Sequence, residues 1–269
     1  MNDLLMANIP PYRRARGYRI YGEKGERLLD FYQDGGHAIL GHRNPGIVLE
    51  IKSLLSRGQI APYPSRHLPL AVKAVTELVP DAVEVRVYAT PERALAAAAA
   101  HLKKPLSQLE IDDPAFPKSS RRNLSLWRPF LEDESSESLL LIPVLPISTP
   151  PAPAVLVFRE KPREKTPPSE YCSPLSLAAL RKAVFELIKY QKAVDRSGWL
   201  EFDSLPLWSR KGPYLTLDIE EEKYASLFSD MLNNGILLSP RYPGPSIIPG
   251  EYSPGEAACF RQVFCDRVG

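Results

Sequence analysis

The period of the apolar positions changes along the chain, and each change marks an element. Between residues 16 and 31 two short runs, RGYRIY and ERLLDF, are joined through a Gly-containing turn and read as paired strands. The Gly- and His-bearing loop QDGGHAILGHRNP follows, and a helix is predicted from Pro45, with Ile47, Leu49, Ile51, Leu54 and Leu55 mostly on one face. A second helix is predicted from Ser65, its cap, to Val79, ending at Pro80. VEVRVY, 83–88, alternates as a strand does and runs into Thr90-Pro91-Glu92, a cap and first turn for the alanine-rich helix beyond.

The middle of the chain is less periodic. QLEI, 108–111, reads as a short strand, DPAFPKSSRR as a loop, and the acidic-polar run 132–138 as a solvated turn. SLLLIPVLP, 138–146, and AVLVF, 154–158, are continuous apolar runs of the kind buried strands show. Ser173 to Tyr190 has a helical stripe of Leu175, Leu177, Leu180, Val184, Leu187 and Ile188. KGPYLTLDI, 211–219, reads as one alternating strand, and a helix from Glu220 stops at Asn233-Asn234-Gly235 with Gly235 beyond its last turn. Ser253 and Glu256 form a capping box for a final helix.

Composition narrows the function classes. With 34 basic and 32 acidic residues spread along the chain, the charge of +2 leaves no footprint for nucleic acid. The basic runs at 13–16 and 118–122 read as solvated faces. No apolar run reaches the roughly 20 residues of a membrane helix, and the N-terminus lacks a signal pattern, so a cytoplasmic protein is expected. Three cysteines, Cys172, Cys259 and Cys265, have no metal-ligand spacing, and no metal is expected. Proline is frequent, 28 residues, and nine of them between Pro143 and Pro174 mark extended chain and loop there.

The order of features from Tyr12 to Gly58, with its leucine-Asp-aromatic triplet, glycine pair, leucine-Gly-His and Asn-Pro before a helix, resembles class III aminotransferases. These are fold type I pyridoxal-phosphate enzymes that include glutamate-1-semialdehyde aminomutase. The resemblance covers about the first 105 residues and, through "helix, Asn-Gly, Ile-Leu-Leu-Ser-Pro, Ser-Pro-Gly-Glu, helix", about the last 100; the middle is matched by strand order alone. It implies an α/β fold of reduced type I form: a shrunken large-domain sheet of about five strands with flanking helices, plus a small α+β domain from both chain ends. The boundaries expected are 1–80 and 205–269 for the small domain and 81–204 for the reduced large domain.

The resemblance also says what has changed. Where the family has a Ser-Gly-Thr turn whose backbone N–H groups hold the cofactor phosphate, this chain has Thr90, Pro91 and Glu92, which remove a donor and add a negative charge. Where the family has the Asp that meets the cofactor ring nitrogen, this chain has Arg159. The strand that would bear the Schiff-base lysine is missing, and Lys161 and Lys165 lie in a proline-rich linker. Phe116 stands near the ring-stacking position, where a loop aromatic packed on its neighbours is the simpler reading; His37 and His42 read as loop histidines bonded to their own backbone, and Tyr63, Arg66 and His67 as helix-start residues. No catalytic residue and no bound cofactor is therefore expected. The chain is expected to act as a catalytically inactive binding or assembly protein, as a homodimer or paired with an aminotransferase relative, without nucleic acid or membrane. One alternative is a pyridoxal-phosphate aminotransferase or aminomutase with relocated catalytic residues. Another is a binder of a different anionic small ligand through Arg93 and Arg159.

Overall fold

A computed structural model describes residues 2–116, 123–131, 137–148, 152–203 and 205–268. The basic run 118–122 and most of the acidic run 132–138 lie outside the described residues. The chain forms two compact units, Met1–Asn44 with Ala115–Pro117 and Val194–Gly269, and Pro45–Pro114 with Lys118–Ala193.

In the first unit a short helix α1 (Asn2–Ala7) precedes the meander β1 (Tyr12–Arg16), β2 (Arg19–Gly22) and β3 (Arg27–Asp30). β3 takes β10 (Ile236–Leu237) as a parallel neighbour, completing a four-stranded sheet in the order β1-β2-β3-β10. A second sheet, β11-β9-β8, comes from β8 (Trp208–Lys211), β9 (Tyr214–Leu217) and β11 (Ser246–Ile247). The single strand predicted over 211–219 is thus a hairpin. Lys211 pairs with Tyr214 across Gly212 and Pro213, Gly212 has φ +54°, and Pro213 has no N–H for a ladder.

Two helices complete this unit. α6 (Glu221–Asn233) ends as predicted, with Asn234 as its cap and Gly235 at φ +78° donating its N–H to the Leu232 carbonyl. α7 (Pro254–Val268) starts on the predicted capping box: Glu256 N–H donates to Ser253 Oγ at 3.2 Å, and Ser253 N–H to Glu256 Oε2 at 2.7 Å. Phe260 and Phe264 of α7 pack into an aromatic core with Phe31, Phe202 and Trp208.

The second unit has one four-stranded sheet, β4-β7-β6-β5, rather than five strands. β4 (Glu84–Tyr88), β6 (Leu140–Pro143) and β7 (Ala154–Phe158) occupy the expected runs. β5 (Leu124–Trp127) lies where no strand was expected, because LSLW is short and its Ser125 is buried by tertiary packing rather than marked by pattern. QLEI is not a strand: a 3-10 turn spans Leu106–Gln108, and pairing begins only at Asp112, which bridges to Ser125. β5 and β6 are parallel, while β7 is antiparallel to both β6 and β4.

α2 (Pro45–Ser56) and α3 (His67–Leu78) pack against α5 (Pro174–Ala193) in this unit, although the sequence suggested a place with the small domain. On α2 the side chain of Leu54 is fully buried, whereas Leu49 is 70% and Leu55 47% exposed, so the helix presents part of its apolar complement outward. α3 begins one turn-position later than expected, with Arg66 at its cap and no side-chain cap bond; Ser65 offers only its carbonyl, to Leu68 N–H. α4 (Pro91–Leu102) lays Ala94, Ala97 and Ala98 on Tyr88, Leu124, Leu140, Leu156 and Phe158. Its small side chains let helix and sheet close on each other without voids.

Candidate functional site

The first turn of α4 is where the family resemblance puts a phosphate cup, and here the chain brings its own carboxylate to it. Thr90 caps the helix as predicted, Oγ1 accepting from Arg93 N–H at 3.4 Å, with Pro91 in the first turn. The Glu92 carboxyl is exposed and held below the usual carboxylate range by the Thr90 hydroxyl and its own backbone N–H. Facing this end is Glu170. Its Oε2 accepts from Ala89 N–H at 3.0 Å, and its Oε1 accepts from Arg93 Nε at 2.5 Å. A carboxylate so placed satisfies the backbone N–H just ahead of the Thr90 cap and complements the positive helix end.

Glu170 is carried there by the segment that the sequence read as a proline-rich linker. Arg86 Nη1 donates to the Thr166 and Pro167 carbonyls at 2.7 and 2.8 Å, and Tyr88 OH to the Pro167 carbonyl at 2.8 Å. Val87 N–H donates to Ser169 Oγ at 3.1 Å, and Glu170 N–H returns to the Val87 carbonyl at 2.9 Å. β4 is an edge strand, and this strap occupies its open side. Burial beneath it pushes the Tyr88 phenol up to about 12. No sequence pattern marks Glu170 for this role, since its partners lie some eighty positions earlier.

Arg93 and Arg159 do not form an anion-binding pair. β7 runs antiparallel to β4, with Phe158 opposite Glu84, so Arg159 emerges at the beginning of β4 while Arg93 follows its end. A strand of five residues separates them, about 17 Å at 3.4 Å per residue. Arg159 reaches Asp81 at 3.6 Å instead. Arg159, the expected counterpart of the ring-nitrogen carboxylate, thus stands at the opposite end of β4 from the first turn of α4.

Lys161 and Lys165 are exposed in the strap region, which contains no strand, and among the described residues no lysine is buried. A cofactor held by a Schiff base and a phosphate cup needs a sheltered amine and free N–H groups at one helix start. Here the residues do not fit it: a carboxylate already sits beside the first turn of α4, where the family's phosphate would be held, and among the described residues no lysine is buried. Phe116 is half-buried in a bend ahead of the undescribed stretch.

The loop of the first unit has a different organisation from that expected. His42 does not bond its own loop backbone through its ring; Nε2 meets Asp30 Oδ2 at 2.7 Å. The other oxygen of the buried Asp30 accepts from Tyr32 and Gln33 N–H, both at 2.8 Å. One carboxylate thereby holds a turn in which Gln33, Asp34, Gly35 and Gly36 all have positive φ. Gly41 is obligatory beside it: φ is +77°, and an added Cβ would come within 3.1 Å of the Gly17 backbone. His37 is exposed on this loop. The leucine-Asp-aromatic triplet contained the signal for Asp30, and only its partner was illegible.

Among the described residues there is no group of three or more His, Cys, Asp or Glu side chains able to hold a metal, and no helix long and apolar enough to cross a membrane. The cysteines are free, and burial pushes the Cys172 thiol up to about 11, which keeps it protonated and unreactive.

No family model matches the chain. An uncharacterized protein of Borreliella burgdorferi is 26% identical over 275 residues, covering 98% of this chain and 93% of its own. The glutamate-1-semialdehyde 2,1-aminomutase of Syntrophobacter fumaroxidans is 29% identical over 75 residues, 28% of this chain and 17% of the aminomutase. The solved structure of an ornithine aminotransferase from Plasmodium yoelii superposes with a TM-score of 0.67 at 13% identity, over 100% of this chain and 99% of that one. The chain therefore has the fold of the class III aminotransferases, with its strap and its own carboxylate at the first turn of α4.

Proposed function

We propose that this protein is a catalytically inactive class III aminotransferase-like protein that works by binding or assembly in the cytoplasm. The observation that carries the reading is Glu170 on Ala89 N–H and Arg93, because a bound phosphate and this carboxylate compete for one helix end. The absence of a buried lysine among the described residues, with Lys161 and Lys165 exposed, supports it. The test adds pyridoxal phosphate to the purified protein, records the absorbance, reduces with borohydride and maps adducts by mass spectrometry. Free-cofactor absorbance with only scattered surface adducts is expected. An aldimine band with one lysine modified stoichiometrically overturns the reading in favour of an enzyme with relocated residues.

Assembly is proposed through a second copy of this chain. The stretch after the start of α2 exposes Leu49 at 70%, Ile60 at 54% and Tyr63 at 73%, together with Leu55. Apolar side chains concentrated this way are the usual sign of a covered face. Sedimentation of the protein at micromolar concentration is expected to show dimers, and Leu49→Asp with Tyr63→Ser to weaken them at least tenfold. Dimers that are indifferent to both substitutions exclude this face.

A further inference from the structure

The helices α2 and α3 pack on α5 around polar atoms for which the described residues supply no partner. Ser65 Oγ, just ahead of α3, His67 Nδ1 in its first turn and Arg181 Nε on α5 are buried without a hydrogen-bond partner. Leaving such a group unpaired is costly, so three in one region ask for an explanation. All three can donate. His67 is 7% exposed, and the Arg181 guanidinium meets Glu50 through Nη2 at 3.5 Å, long for an ion pair.

The charges around them are one-sided. Those that bear on the His67 ring are Arg66, Arg181 and Arg57 on the positive side and Glu50 alone on the negative. Three guanidinium groups against one carboxylate leave two positive charges. Burial first, then Arg66 and Arg181, hold the imidazole below its ordinary value, which favours the neutral ring, and the tautomer protonated on Nδ1 donates. The start of α3 adds a positive helix end that no side chain caps. This arrangement matches a small dianion: charge for charge, and donors for the oxygens of a tetrahedral group.

We propose that the α2–α3–α5 junction binds a phosphate-class oxyanion, with Arg181 and His67 donating to it and Arg57 and Arg66 supplying compensating charge. The site is separate from the first turn of α4 and stands whichever way the cofactor test falls. Arg57, bonded to Ser53 O at 3.1 Å and Ser53 Oγ at 2.9 Å, and Arg66 are exposed, so both can be removed without opening the core.

The probe is inorganic phosphate, with acetate at matched ionic strength as the singly charged control. Titration of the histidine resonances, assigned through His67→Gln, is expected to show phosphate raising the His67 pKa and acetate leaving it nearly unchanged. The double variant Arg57→Ala, Arg66→Ala is expected to keep the phosphate-free Tm and to lose about tenfold or more in phosphate affinity. A small phosphate monoester that binds tighter than phosphate identifies a phosphorylated metabolite as the ligand, and equal affinity identifies phosphate itself. The proposal is overturned by a His67 titration indifferent to phosphate, which leaves water as the occupant, or by a phosphate effect that the double variant retains in full.

Discussion

Phe260→Ala is expected to remove about 3–5 kcal/mol from the stability of the first unit, the range for deleting a fully buried aromatic ring. Phe260 is stacked on Phe31 with centroids 4.7 Å apart and meets Phe202 edge-on at 5.3 Å. Trp208 approaches the same ring at 6.2 Å. These partners come from β3's end, from the 3-10 helix Ser197–Phe202 and from β8, so one ring joins segments far apart in the chain. Its removal leaves a cavity that three rigid neighbours cannot fill by a rotamer change. Urea unfolding followed by tryptophan fluorescence measures the loss, and Phe260→Leu, which keeps most of the volume, should cost far less. A loss below about 1 kcal/mol for the alanine variant shows that the ring is dispensable and the aromatic core is not the anchor of this unit.

Glu256→Gln is the second large effect, expected at about 2–3 kcal/mol at neutral pH. The carboxylate takes Arg19 as a fork, Nε to Oε1 at 2.9 Å and Nη2 to Oε2 at 2.7 Å, and Arg27 Nη2 at 3.0 Å. It also closes the capping box through Ser253 N–H. The amide of glutamine carries no charge and accepts through one oxygen only, so the fork and the cap cannot both survive. Arg19 above all holds the Glu256 carboxyl down to about 2 from 4.5. Because the folded value is the lower one, this stabilisation is present above the unfolded carboxyl's value and is lost as pH falls from about 4.5 toward 2. The stability difference between the wild type and Glu256→Gln should therefore shrink over that interval. A difference that stays constant down to pH about 2 contradicts the linkage.

The strap gives the α4 end a structural reading of wider use. An anion cup is recognised in a sequence by small residues at a strand-to-helix turn, yet the same helix end can be satisfied by a carboxylate from anywhere in the chain. Here Pro91 brings no N–H and Glu92 a negative charge, and Glu170 adds a second carboxylate beside the turn. A proline-rich segment suits that task, since its residues stay extended and need few ladder donors along the edge of β4.

The features legible in the sequence are those whose chemistry closes within a few residues. Thr90 with Pro91, Ser253 with Glu256, and Asn234 with Gly235 each satisfy backbone groups in their own turn, so the letters alone determine the helix ends. The fold class was legible too, through the run from Tyr12 to Gly58 and the closing helix. Tertiary structure alone decided the rest: the hairpin at Gly212-Pro213, the four-residue strand Leu124–Trp127, the antiparallel sense of Ala154–Phe158 that parts Arg159 from Arg93, and the Asp30–His42 and Glu170–Ala89 bonds. Each depends on which distant backbone lies alongside. A local period records which face of an element is buried, but carries no information on the neighbour that buries it or on the direction in which that neighbour runs.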